Sequence, residues 1–134
     1  MNITNYTDLL KAAKQQPEPQ RLLFVFTKPE LPDVYTEAQQ RDFYAGKGGV
    51  LTPQMCTDKA LDELGDFSHL VKESHQMGRD WKIVFVASLP GRVGVMPSTE
   101  EAQEPLKTMI HSIQNGAISK YLSFDQNGDL IQIS

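Results

Sequence analysis

Two uninterrupted apolar runs predict the buried strands of this chain. Residues 83–87 and 21–27 are rich in β-branched and aromatic side chains and lack the alternation of a strand with one wet face. Such runs are typical of strands that are covered on both faces. Pro90 and Gly91 end the first run, because proline lacks a ladder donor and glycine allows a positive φ. A weaker strand is predicted over 50–57, where Pro53 indicates an edge position or a bulge.

Apolar positions at helical spacing predict helices over residues 4–16, 36–46, 66–78 and 98–116. The last of these is marked best, because Ser98 can cap it and Glu101 completes a capping box. Its apolar stripe consists of Ala102, Leu106, Met109, Ile110 and Ile113. Pro105 interrupts this stripe, so we expect a kink or a late start of the regular helix.

The C-terminal segment predicts a β-hairpin. Asn127 and Gly128 favour a type I′ turn with a two-residue loop. A loop of that length fixes the register of the two strands and leaves one face of the hairpin apolar. The predicted pairs are Gln126 with Asp129, Phe124 with Ile131, and Leu122 with Ile133.

The element order α-β-α-β-α-β-α-β-β predicts an α+β (α/β-like) fold, with residues 1–134 forming a single globular domain. Since strands alternate with helices, we expect crossover units. The predicted architecture is a mixed β-sheet of about five strands, packed against three to four helices and ending in the hairpin. The segments 21–27, 83–87 and 121–124 are expected to supply most of the core.

Composition narrows the class of protein. The chain has 134 residues and a formal net charge of −4, which argues against a nucleic-acid-binding role that rests on a basic surface. No apolar run approaches the roughly 20 residues that a membrane helix needs, and the N-terminus lacks the layout of a secretion signal. One cysteine excludes an internal disulfide framework. These features predict a cytoplasmic protein with no nucleic-acid or membrane partner.

The loop over residues 90–94 is the best candidate for a ligand site. It follows a buried strand and precedes a helix, which is where open α/β sheets often bind ligands. An arginine there could form a fork with a phosphate or a carboxylate. A plain connecting loop is the alternative interpretation. The predicted anion-binding residues are Gly91, Arg92 and Gly94, joined by Lys47 or Lys59.

Cys56 is a candidate reactive thiol, because a neighbouring lysine, Lys59, could lower its pKa. A small buried hydrophobic residue is the alternative interpretation. The spacing of the three histidines does not predict a metal site, since helical ligand pairs lie three or four residues apart. No catalytic residue and no cofactor are predicted.

Three stretches, QQPEPQRLLFVFTKPELP, MCTDKALDEL and the C-terminal hairpin, together resemble a small family of uncharacterised proteobacterial proteins. The resemblance covers nearly the whole chain. Members of this family often carry the automatic label "ribonucleotide reductase subunit alpha". That enzyme is several times longer and needs a thiyl-forming cysteine plus a separate reducing pair, whereas this chain has only Cys56. We therefore expect no reductase activity, and the resemblance implies no catalytic residue at any position.

Two functions remain open from the sequence. The first is a non-enzymatic cytoplasmic module that binds a partner protein or associates with itself, for example as a homodimer. The second is a binding protein for a small anion or metabolite, possibly an enzyme, which uses the 90–94 loop. The first predicts an exposed apolar patch or a large interface, and the second predicts basic side chains that converge on one pocket.

Overall fold

The computed structural model describes residues 2–31, 34–45 and 49–131, and its central element is a four-stranded sheet. The strands lie in the order β2-β1-β3-β4, and every neighbouring pair is antiparallel. Both long apolar runs are strands, as predicted. Their bounds are Gln20–Glu30 for β1, Val50–Ala60 for β2, Ile83–Pro90 for β3 and Leu122–Phe124 for β4.

The four predicted helices are present. They are α1 (Tyr6–Lys14), α2 (Glu37–Tyr44), α3 (Phe67–Gln76) and α4 (Thr99–Gln114), with a short 3₁₀ helix at Leu61–Glu63. The side chains of Asn5, Thr36, Asp66 and Ser98 each accept a hydrogen bond from the first turn of the following helix. The capping box predicted for α4 is confirmed, and α2 has a capping box formed by Thr36 and Gln39. α4 begins directly after Ser98, so Pro105 does not delay its start.

Both faces of the sheet are covered, as the uninterrupted apolar runs predicted. Along β1, Leu22, Phe24 and Phe26 face a core that includes residues of α1 and α3. The alternate residues Leu23 and Val25 face a second core that includes the stripe of α4. The domain therefore has three layers, with two helices on one face of the sheet and one on the other.

The prediction of a mixed sheet is wrong, because all strand pairs are antiparallel. α2 connects β1 to its direct neighbour β2 and buries none of its residues, so it is not a crossover helix that packs on the sheet. β2 and β3 run parallel to each other, but β1 lies between them. The chain between β2 and β3, which contains α3, is thus the connection that crosses a strand.

β2 has the edge position that Pro53 indicated. It also has the bulge, since Phe26 pairs with Met55 whereas Thr27 pairs with Pro53, which leaves Gln54 as the extra residue. β2 continues through Ala60, three residues beyond its predicted end.

The C-terminal hairpin has a different register from the prediction. Phe124 pairs with Leu130 instead of Ile131, and the backbone N–H of Asp125 donates to the carbonyl of Asp129 at 3.0 Å. The Asp125 carboxylate accepts from the N–H groups of Asn127 and Asp129 at 2.8 and 3.1 Å, which favours a three-residue loop. Residues 129–130 form isolated bridges, so a fifth strand is not confirmed. Ile133 lies outside the described residues.

Within the three described ranges, no helix has the length and apolar content needed to cross a membrane.

Candidate functional site

The loop after β3 is a tight turn. The backbone groups of Arg92 and Val95 exchange two hydrogen bonds, of 3.2 and 2.9 Å, across Val93 and Gly94. Both central residues have positive φ, 51° for Val93 and 76° for Gly94. Two consecutive residues with positive φ identify a type I′ turn. Gly94 therefore has a backbone conformation that favours glycine.

Glu18 occupies the amide that an anion would use in this turn. The N–H of Gly94 donates to Oε1 of Glu18 at 2.7 Å. A β-carbon on Gly91 would lie 2.1 Å from the carbonyl oxygen of Val95, so glycine is required there by close packing. The N–H of Gly91 donates to the carbonyl of Pro19 at 2.7 Å. Both glycines thus have a structural explanation that needs no ligand.

The Arg92 side chain is exposed and lines a pocket of about 320 Å³ on the α4 side of the turn. Glu101 lines the same pocket. Its carboxylate accepts from the N–H of Ser98 in the capping box of α4, at 3.2 Å. A carboxylate beside Arg92 weakens the attraction of this pocket for an anion.

The lysines predicted to assist Arg92 are placed as follows. Lys59 lies on β2, where its Nζ contacts Oε1 of Glu73 on α3 at 2.6 Å. Lys59 does not line the pocket that Arg92 lines. Lys47 lies outside the described residues. The predicted grouping of Arg92 with a lysine therefore stays a prediction.

Cys56 lies opposite Val25 on β2 and packs beside the core under α4. Burial, and to a smaller degree the charge of Asp58, raises the pKa of the Cys56 thiol. A raised pKa keeps the thiol protonated at neutral pH, whereas a reactive cysteine needs the thiolate. Lys59 is three residues away on a strand, so its side chain lies on the opposite face and is not placed to lower that pKa. The geometry favours the interpretation of Cys56 as a small, half-buried residue that packs against the core.

The sequence did not predict the most connected group of polar side chains among the described residues, which we call the Arg21 clamp (Arg21, Asp58, Thr99 and the carbonyl of Pro97). The guanidinium of Arg21 donates from Nε to Oδ2 of Asp58 at 2.6 Å. Its Nη2 donates to Oγ1 of Thr99 at 2.7 Å, and its Nη1 donates to the carbonyl of Pro97 at 3.2 Å. Oγ1 of Thr99 in turn donates to the same oxygen of Asp58 at 2.9 Å.

The Arg21 clamp joins β1, β2 and the first turn of α4. The side chains of Arg21 and Asp58 are only 12% and 10% exposed. The three nitrogens of Arg21 each have a protein partner, so the clamp is a structural connection between these elements. No sequence motif could have revealed it, because its partners lie 37 to 78 residues apart.

No group of three or more histidine, cysteine, aspartate or glutamate side chains is placed to hold a metal ion in the part of the chain that the structure describes. No protein-family model, characterised protein or solved structure matches the chain significantly. The functional proposal therefore rests on the geometry alone.

Proposed function

We propose that this protein is a non-enzymatic interaction module that binds a partner protein along the open edge of β2. The two edges of the sheet differ. β4 is three residues long, and Ile131 donates a backbone hydrogen bond to Ser123 on its outer side at 2.9 Å. β2 is eleven residues long, and no strand of the described residues pairs with its outer side. This difference between the edges is the observation that carries the proposal.

An unpaired strand edge presents N–H and C=O groups that can pair with an extended segment of another chain. β2 offers such groups along most of its length. Its charged residues Asp58 and Lys59 are already paired, with Arg21 and Glu73. Hence they do not oppose the approach of another strand as unpaired charges would.

Exposed apolar side chains lie next to this edge. β1 and β2 continue beyond β3, because β1 pairs with β3 only as far as Thr27 but with β2 as far as Glu30. The projecting end carries α2, and we call it, with its flanking residues, the α2 arm (residues 34–45 and Val50). Its exposed large apolar side chains are Val34 (90% exposed), Tyr35 (45%), Tyr44 (74%) and Val50 (43%). These side chains lie within one short stretch of the chain, and exposed apolar residues that form one patch are typical of interaction sites.

Site-specific photo-crosslinking in cells tests this proposal. A benzophenone side chain at Tyr44, on the α2 arm, is expected to give a discrete crosslinked species. The matched position is Met77 at the end of α3, which is also an exposed apolar residue (45% exposed) but lies outside the arm. We expect no discrete species from position 77.

Charge at the edge should then remove the crosslink. Val50→Lys is expected to reduce the yield from position 44 several-fold, because a lysine on an edge strand opposes pairing. Met77→Lys should leave the yield unchanged. Equal crosslinking from positions 44 and 77, or an equal effect of the two lysine substitutions, would refute the β2 edge as the binding surface. Sedimentation of the purified protein distinguishes a homodimer from a different partner.

The remaining sequence-based proposals are the family resemblance, the cytoplasmic location and the anion site at residues 90–94. A single cysteine supports a cytoplasmic location, where disulfides are rare. The anion site is the weaker second function, since Glu18 already binds the Gly94 amide and Glu101 lies beside Arg92.

A further inference from the structure

The α4 face of the sheet is covered unevenly. α4 packs mainly against β2 and β1. On β3, Phe85 is buried on this face, but Ala87 and Leu89, which share the face by alternation, are only half-buried. A single helix thus leaves the last part of β3 open beside it.

A groove of about 480 Å³ fills this space. Pro105 of α4 contributes to its wall, where a proline presents an apolar ring and no N–H donor. Ala87 keeps the groove open, because its side chain is a single methyl group. The apolar lining consists of Leu23, Ala87, Leu89, Pro105, Met109 and Tyr121.

The rim of the groove carries one cation, Lys120, that has no carboxylate partner among the described residues. Lys120 and Glu104 both line the groove. Glu104 is paired, since its Oε1 lies 3.3 Å from Nζ of Lys107. Nζ of Lys120 lies 5.4 Å from the ring centroid of Tyr121, and no carboxylate of the described residues lies within salt-bridge distance of it. The charge that complements this rim is therefore a single negative one.

We propose that the groove binds a small hydrophobic monocarboxylic acid, with the hydrocarbon against the apolar lining and the carboxylate on Lys120. A volume of about 480 Å³ lies within the range of small-molecule sites. It accommodates an acid of about eight carbons, for which we expect a Kd on the order of 0.1–1 mM. This groove is lined by no residue of β2, and neither proposal depends on the other.

Titration of the full chain with octanoate, followed by amide NMR shifts, tests the site. We expect saturable shifts that centre on Ala87, Leu89 and Tyr121. Octanol is the matched neutral probe, because it has the same chain without the charge. Octanoate should bind about three- to fivefold more tightly than octanol, as a partly exposed ion pair permits.

Two substitutions and one control separate the effect of the Lys120 charge on binding from the effect of the groove's shape. Lys120→Gln should weaken octanoate about three- to fivefold and leave octanol unchanged. Lys72→Gln removes an exposed lysine from α3, on the other face of the sheet, and should change neither affinity. Ala87→Leu fills the groove and should abolish the binding of both probes. Unchanged amide chemical shifts away from the groove would show that this variant keeps the fold.

The proposal is overturned if about 10 mM octanoate produces no saturable shifts at the groove, a concentration well above the expected Kd. It is also overturned if octanol binds as tightly as octanoate, or if the two lysine substitutions have the same effect. Because Lys120 is exposed, its substitution removes no packing, so loss of the fold does not obscure the result.

Discussion

Val93 holds an exposed side chain at a backbone position that favours glycine or asparagine. It is 95% exposed and has a φ of 51°, which for a β-branched residue is an unfavourable conformation. The left-handed conformation costs a non-glycine residue roughly 1–2 kcal/mol, and contacts of the side chain cannot offset that cost at such high exposure. The strain resides in the turn itself.

We expect Val93→Asn to stabilise the protein by about 1 kcal/mol, because asparagine tolerates this conformation and Asn-Gly is the preferred type I′ pair. Urea unfolding of both proteins provides the measurement. Val95→Asn is the control, since Val95 is also exposed (67%) but has no positive φ. A similar gain from both substitutions would show that lost surface hydrophobicity, and not the turn, is responsible.

Tyr6 is a tyrosine whose burial changes its ionisation. Its side chain is 1% exposed, and its hydroxyl has no hydrogen-bond partner among the described residues. Burial, and to a smaller degree the charge of Asp66, raises the pKa of Tyr6 to about 12. The folded state therefore keeps a proton that the unfolded chain releases near its ordinary pKa of about 10.

Stability should consequently fall as the pH rises from about 10 to about 12, where the unfolded chain binds fewer protons than the folded protein. Tyr6 contributes at most about 2–3 kcal/mol to this fall. We expect Tyr6→Phe to remove that part of the alkaline pH dependence, as measured by urea unfolding at several pH values. Tyr44→Phe, at an exposed tyrosine, should leave the dependence unchanged. Identical pH profiles for wild type and Tyr6→Phe would contradict the assigned pKa.

Among the elements, the helix starts are what the local sequence predicts best. Ser98 and Glu101, or Thr36 and Gln39, cap a helix through bonds that span three residues, so a short window contains the whole interaction. The buried strands are also predictable, because an uninterrupted apolar run requires cover on both faces.

Strand pairing depends on contacts that no short window contains. The alternation of helices and strands suggested crossovers, but α2 buries no residue and β2 returns directly beside β1. The modest apolar face of α2 predicts a surface helix or a flap over the sheet, and none of its residues is buried. In the hairpin, the carboxylate of Asp125 binds two amides of the turn and so shifts the register by one residue.

The candidate site shows the same difference between short-range patterns, which the sequence predicts, and long-range contacts, which it does not. Gly91 and Gly94 were predicted as anion-binding residues, yet glycine patterns alone do not distinguish a ligand loop from a tight turn. The distinction came from Glu18, which lies 76 residues from the amide it binds. The groove beside α4 was equally hidden, because it depends on which strands the helix covers.

At the scale of the whole molecule, the Arg21 clamp is the connection that fixes the α4 layer to two strands at one end of the sheet. Breaking one partner of a mostly buried ion pair is costly, because the other charge stays buried without compensation. We expect Arg21→Met to destabilise the protein by about 2–4 kcal/mol in urea unfolding, somewhat less than for a fully buried pair. Asp58→Leu should have a similar effect.

The double variant Arg21→Met/Asp58→Leu tests whether the ion pair itself stabilises the fold. The alternative is that each single substitution is costly mainly because it leaves a buried charge unpaired. Since no charge is then left buried, we expect it to recover at least half of the summed loss, and apolar contact with the core under α4 can offset the rest. Lys107→Met is the control, because its pair with Glu104 is 72% and 84% exposed and should be worth less than about 0.5 kcal/mol. Strictly additive losses in the double variant would mean that Arg21 and Asp58 stabilise the layers through separate contacts, and the clamp would not act as one unit.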